Sequence, residues 1–305
     1  MKILFNIDTE ADFWKYIPSP WGWKSLVYKI KWNLNKIRGK FIYAKNRQGL
    51  INIVDFCKKY NIPATFNIVG HLYLKSCNNW PHFKEKKPLS KWFNKDWYYW
   101  DKPSNYKENP GLYLGDYIEK EMKGLFDLGL HNFSHEALTL ENQEIANSVI
   151  QSSVLAANSL GIKPVSYCAP FNMNEDIKNP KILFNALKKN KIKVLRYLGK
   201  EDYPKKQFYK HKFEKPEKKY GILCIWDTNY FDGTSSKEHI NSILKDIKTK
   251  IQEEKQGKHK GKIYTLNCHD FTFKTMKNIE KIFLTLLSWK EKGEKIEFIT
   301  MKDLV

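Results

Sequence analysis

Five side chains in this 305-residue chain have the types and spacing for hydrolytic chemistry around a cation. Asp8 and Glu10 stand one residue apart in Ile7-Asp8-Thr9-Glu10. His131 and His135 are spaced i to i+4 in Gly129-Leu130-His131-Asn132-Phe133-Ser134-His135, and His269 directly precedes Asp270. Placed on a helical turn, the first two imidazoles share one side and can hold a cation at about 2.0–2.1 Å. Two histidines plus one carboxylate leave positions open for water and substrate, while a second carboxylate and a third histidine remain for proton transfer. Taken singly, each group has a plainer reading: acids solvating a strand end, a chance HxxxH, a hydrogen-bonded histidine. They become a site only if the fold brings them to one place.

The elements needed to do so are legible as alternation. Short β-branched or aromatic runs over 2–7, 64–69, 164–168, 193–197, 222–226, 263–268 and 296–300 read as strands. Helical patterns over 50–60, 116–128, 141–160, 180–189, 237–254 and 276–292 fall between them, the last with one apolar face of Ile279, Ile282, Phe283, Leu286 and Leu287. Alternation of this kind implies a parallel sheet with helices outside. The expected fold is a distorted or incomplete (β/α) barrel of about seven parallel strands in a single domain over 1–305. Barrels gather chemistry at the carboxyl ends of their strands, where Asp8, Glu10 and His269 fall. GxGxxG and GxxxxGK[ST] are both absent, which argues against a phosphate-binding first turn.

Two stretches interrupt the rhythm. Residues 11–48 carry Trp14, Trp21, Trp23 and Trp32 among nine lysines and arginines, and residues 72–115 add Trp80, Trp92, Trp97 and Trp100. Insertions of this length are expected to rim the site. The formal charge is +20, with 15% aromatic residues and recurrent apolar segments, a composition unlike that of disordered chains. No apolar run reaches the roughly 18–20 residues of a membrane span. The first residues read as a strand rather than a secretory h-region, and five cysteines without CxxC spacing argue against a disulfide framework, so a cytoplasmic setting is expected. Recognised nucleic-acid modules are absent, and no nucleic-acid partner is expected despite the charge. Lysine and tryptophan together in the first insertion suit peripheral contact with an anionic membrane surface, at its inner face.

In their order along the chain these residues resemble the polysaccharide deacetylase family, the NodB-homology type of carbohydrate esterase. Asp8-Thr9-Glu10 looks like a variant of its aspartate-rich first motif, and His131 to His135 matches the second. Tyr167-Cys168-Ala169-Pro170-Phe171 occupies the place of the third, Trp226-Asp227 that of the fourth, and Leu266-Asn267-Cys268-His269 that of the fifth, with one extra residue before the histidine. Flanking support comes from 62–71, which resembles the family's second strand, and from 298–304, its final strand and helix start.

The resemblance implies that Glu10, His131 and His135 hold one divalent metal, that Asp8 is the general base and that His269 is the general acid. It further implies that Pro170, Phe171, Trp226 and Asp227 contact the substrate. Zinc suits a His/carboxylate set, and cobalt, nickel or iron would also fit. The implied reaction is removal of an N-acetyl group from an N-acetylated sugar or glycan precursor, one that is lipid-linked if the chain meets it at a membrane. A deformylase or other amide hydrolase of the same fold, and an inactive glycan-binding relative, are the alternatives. Two departures stand out. Glu10 replaces an aspartate ligand, and Cys168 replaces the third-motif arginine that orients the base. Only Arg38, Arg47 and Arg196 exist in the chain. Arg196, at a neighbouring strand end, is the candidate to supply the missing charge to Asp8.

Overall fold

The computed structural model describes residues 1–11, 47–77, 105–107, 111–136, 138, 142–170, 180–197, 213–270 and 275–305. The strands among these are β1 (Lys2–Thr9), β2 (Thr65–Ile68), β3 (Asp127–Leu130), β4 (Ser166–Cys168), β5 (Val194–Tyr197), β6 (Glu217–Lys219), β7 (Ile222–Trp226), β8 (Asn229–Tyr230), β9 (Ile263–His269) and β10 (Glu297–Ile299). They form one sheet in the order β6-β7-β5-β4-β3-β2-β1-β9-β8, with β10 beside the first half of β1. All pairings are parallel except the β6–β7 hairpin.

β7 and β8 stand near opposite ends of this order, yet only Asp227 and Thr228 link them. Such a link reaches roughly 11 Å at full extension, so the sheet has to curl until its two sides meet. Side chains seal the seam: the Thr228 amide donates to Thr265 Oγ1 at 2.6 Å, and Thr265 Oγ1 donates to the Trp226 carbonyl at 3.0 Å. The result is the expected distorted (β/α) barrel.

Strand alternation then gives the barrel two different faces. Odd positions of β1, namely Ile3, Phe5 and Ile7, belong to the main apolar core together with Ile150, Leu187, Ile247 and Phe283 from the surrounding helices. Those helices are α1 (47–59), the short α2 (Gly115–Tyr117), α3 (Gln143–Ser159), α4 (Lys181–Lys189), α5 (Lys237–Lys255) and α6 (Thr275–Glu291). Asn142 and Ser236 cap α3 and α5 through side chains that accept from backbone amides of the first turn. Even positions of β1 face inward. Leu4 joins Val194, Ile225, Ile263, Ile299 and Met301 in a separate small apolar cluster. Farther along β1, Asn6 accepts from Asn67 Nδ2 at 2.9 Å, and Asp8 comes next on the same face. Gly129 is required here: a Cβ would meet Ser166 Oγ at 2.5 Å and Asn67 Oδ1 at 2.9 Å.

Three elements differ from the sequence reading. The pattern over 116–128 is not one helix: Gly115–Tyr117 passes into a wide π turn over Ile118–Met122, and the chain then extends into β3. His131 and His135 consequently lie in the loop beyond β3 rather than on a helical turn. With β3, two further strands add to the seven expected: β6, polar and largely exposed, and β8, two residues long.

The insertion over 11–48 lies outside the described residues except Ala11 and 47–48, the latter in α1. Within 72–115, Leu72, Tyr73, Cys77, Leu112 and Tyr113 are buried core residues, so the ends of that stretch are core rather than rim. The eight insertion tryptophans fall outside the described residues.

Candidate metal and catalytic centre

The register delivers the site. Asp8 on β1 is paired with His269 on β9 and with Asn67 on β2, and Cys168 on β4 with Arg196 on β5. Each lies at or near the carboxyl end of its strand. Glu10 follows β1, and its amide and that of Ala11 both donate to the Asp270 carboxylate at 3.0 Å. Ala11 adopts a left-handed backbone, φ 46, directly after this contact. Asp270 returns the contact by donating its own amide to the Asp8 carbonyl at 3.2 Å.

The loop after β3 is held in an unusual shape for the sake of its histidines. Asn132 and His135 both have left-handed backbones, at φ 55 and φ 56, a conformation costing about 1–2 kcal/mol for an ordinary residue. Local bonds hold it: Asn132 Nδ2 donates to the Glu136 carbonyl at 2.6 Å, the Ser134 amide to Glu136 Oε2 at 2.8 Å, and the Tyr167 hydroxyl to Asn132 Oδ1 at 2.7 Å. His131 and His135 meet with ring centroids 4.8 Å apart.

Ligand atoms of Glu10, His131 and His135 all lie within 4.8 Å of one another. His135 Nε2 is 3.2 Å and His131 Nε2 3.7 Å from Glu10 Oε1. His131 Nδ1 is 2.9 Å from the Cys168 carbonyl, which can only accept, so the Nε2 lone pair is left facing Glu10. That Nε2 is buried with no hydrogen-bond partner among the described residues. An orphaned imidazole nitrogen beside a carboxylate and a second imidazole is the donor set of an open three-ligand metal site, and these residues fit one divalent ion. A second grouping, Asp8, His131 and Cys168, also converges, but Asp8 is already committed elsewhere.

That commitment is to Arg196. Its Nη1 donates to Asp8 Oδ1 at 2.8 Å and its Nη2 to Oδ2 at 2.6 Å, a bidentate pair buried at the centre of the site. Arg196 Nε faces Asp227 Oδ1 at 3.4 Å. Burial alone would raise the Asp8 carboxyl, but the Arg196 guanidinium, with His131 and His269, brings it down to about 2. Glu10 is likewise held well below the carboxylate range, burial being outweighed by His135 and His269. Burial lowers His135. His269 is raised, because Glu10 and Asp8 outweigh the effect of burial. Burial pushes the Cys168 thiol well up, as expected of a small buried filler.

His269 Nε2 is 3.3 Å from Glu10 Oε1 and 4.0 Å from Asp8 Oδ2. Its side chain is 24% exposed against 7% or less for Asp8, Glu10, His131 and His135, so the mouth of the site opens on its side. Its Nδ1 is 2.6 Å from the Tyr230 hydroxyl. Sequence reasoning missed Tyr230 and Asp270. A tyrosine in a two-residue strand has no signature, whereas an acid directly after a strand-end histidine could have been followed up.

The remaining candidates divide. Asp227 turns inward to Arg196, while Trp226, one residue earlier on the strand, turns outward and packs edge-on against Tyr197 at 5.1 Å beneath Lys219. The expected sugar-facing wall at Trp226 is therefore packing on the helix side, a consequence of strand alternation. Pro170 is buried just past β4, and Phe171 lies outside the described residues.

A Mycobacterium smegmatis protein assigned as a polysaccharide deacetylase superposes with TM-score 0.54 at 12% identity, covering 99% of this chain and 88% of that one. The chain has the polysaccharide-deacetylase fold. A family 4 acetyl xylan esterase from Clostridium thermocellum, solved with a cobalt ion, gives TM-score 0.46 at 14% identity over 100% and 90% of the two chains. A family 4 pseudoenzyme from Bacillus anthracis gives 0.44 at 14% over 98% and 65% in a mutant form. No family profile matches the sequence, and no curated protein matches it. Among the described residues no helix is long and apolar enough to cross a membrane.

Proposed function

We propose that this chain is a metal-dependent carbohydrate N-deacetylase, hydrolysing the acetamido group of an N-acetylated sugar or glycan precursor. The observation that carries the reading is the side-by-side placement of two units: the Glu10, His131 and His135 ligand set, and an ionised Asp8 gripped by Arg196. Bound by those three ligands, a divalent ion, zinc by donor preference, would supply polarisation of the acyl carbonyl and acidification of a water.

The chain's own residues supply the rest. Asp8 accepts the proton as the water oxygen bonds to the carbonyl carbon, with Arg196 fixing the plane of its carboxylate. Asp227 faces the guanidinium edge at Nε, which helps hold Arg196 in that plane. His269, on the open side, gives the proton from Nε2 to the departing amine as the carbon–nitrogen bond breaks. Acetate and a free amino sugar leave. The pyranose would enter past His269, whose side chain is the most exposed of the group.

Metal analysis of the purified protein, paired with acetate release from a panel of N-acetylated sugars by wild type and His131→Ala, tests the reading. About one equivalent of metal and acetate release, both lost in His131→Ala, is the expected result. Formate in place of acetate would assign a deformylase, and sugar binding with neither metal nor released acid would assign a glycan-binding protein.

A lipid-linked acceptor met at an anionic membrane surface is supported by the composition of 11–48 alone. Flotation with anionic liposomes tests it, and equal binding after deletion of 14–45 would remove it.

A further inference from the structure

We infer that Tyr230, anchored by Asp232, is a positioning residue that fixes His269 as the Nδ1–H tautomer and so reserves Nε2 for proton delivery. The inference rests on His269 being the acid of the proposed reaction. β8 lies beside β9 with Tyr230 paired to Asn267, which brings the phenol to the back of the His269 ring, 2.6 Å from Nδ1. Behind it, Asp232 Oδ2 is 3.2 Å from the same hydroxyl.

The direction of the bonds follows from counting protons. Asp232 Oδ1 accepts from the Thr234 amide and hydroxyl, both at 2.6 Å, and from the Ser235 amide at 3.1 Å. A carboxylate so surrounded by donors is an acceptor only. Burial would raise Asp232, but the Thr234 groups hold it below its ordinary value. The single phenolic proton therefore points to Asp232, and the phenol oxygen must accept from Nδ1–H of His269. The strand end is pinned independently: His239 Nε2 is 2.9 Å from the Tyr230 carbonyl, and Asn278 Nδ2 donates to the Asp232 carbonyl at 2.7 Å. Asp227, the acid of the Trp-Asp pair, faces Arg196 Nε.

Nitrogen-15 NMR of histidine-labelled, zinc-loaded protein, with His269 assigned by its loss in His269→Ala, reads the tautomer directly. Wild type should show Nδ1 protonated. Asp232→Asn preserves the Oδ1 contacts but places an amide NH₂ where Oδ2 stood, so the relay should reverse and move the proton to Nε2. Tyr230→Phe, which removes only the hydroxyl, should give a mixture. With acetate release as readout, kcat should fall about 100-fold in Asp232→Asn at unchanged KM and metal content. A neutral wild-type His269 protonated at Nε2 and not at Nδ1, or an Asp232→Asn spectrum identical to wild type, overturns the inference. So does a reversed tautomer with full kcat. The spectrum needs no substrate, so it stands or falls apart from the deacetylase reading.

Discussion

Arg196→Met is the most informative perturbation, because it removes one member of a buried ion pair and leaves the other. In the wild type the Asp8 carboxyl lies at about 2 instead of its ordinary 3.8. At about 1.4 kcal/mol per pH unit this displacement is about 2–3 kcal/mol in favour of the folded state. A depressed carboxyl contributes fully above its unfolded value, and the contribution is lost as pH falls from about 4 to about 2. In Arg196→Met the largest remaining influence on Asp8 is burial, which raises it. The sign then reverses: stability declines as pH rises above about 4, where a buried carboxylate must ionise without its partner. An unpaired buried charge costs about 3–5 kcal/mol near neutrality. Urea unfolding of chelator-treated protein between pH 3 and 7 reads both the magnitude and the slope. Asp8→Asn with Arg196→Met should be less damaging than Arg196→Met alone, because Asp8 is then no longer a buried carboxylate left without its partner. A single Arg196→Met variant within about 0.5 kcal/mol of wild type, with the same pH slope, would refute the reasoning. Arg196→Lys keeps the charge but loses the fork, so turnover should fall about 10–100-fold while the pH slope of stability keeps its sign.

Asp8→Asn should abolish acetate release while the protein still binds one metal by elemental analysis, since Asp8 is not in the Glu10, His131 and His135 set. Retained activity would end its assignment as base. Gly129→Ala should destabilise the fold by about 1–3 kcal/mol in thermal or urea melts, because the new methyl meets Ser166 Oγ and the Ser166 carbonyl in a packed interior. The five cysteines are free and buried, so a thiol reagent at pH 8 should react slowly with native protein and with five equivalents after denaturation. Fast reaction at any of them would contradict the packing described.

The barrel was readable where its strands are long or apolar. β1, β5, β7, β9 and β10 each carry runs of β-branched or aromatic residues. β3 was hidden because Asp127-Leu128-Gly129-Leu130 is short, contains a glycine, and continues a spacing of Ile118, Met122 and Leu128 that reads as a helix. Its glycine is there for the interior, which a sequence pattern does not display. β6 is polar because it sits at a sheet edge, so no apolar pattern marks it. Glu10, His131 and His135 stand close together even though the histidines reach the site from a loop. Spacing of four serves a strained turn as well as a helix, so the residues were legible and their backbone was not. Trp226 shows the opposite failure: its neighbour Asp227 belongs to the site, and alternation sends the indole away.

Cys168 and Arg196 show how a charge expected on one strand can be supplied from the next. In a parallel sheet, residues in register on adjacent strands are about 4.8 Å apart and project to the same face. Cys168 and Arg196 are such a pair. A guanidinium that leaves β4 can be replaced by one from β5 with a lateral move its own length absorbs. The same bidentate contact with Asp8 is then reached from the next strand. The vacated position must be filled by something small and uncharged, because the arriving arginine needs its volume and a second charge would compete for Asp8. A buried thiol, kept neutral by its surroundings, meets both conditions. Asp8 therefore depends on a barrel position that two strands can serve, and its partner is found by register rather than by place in the motif.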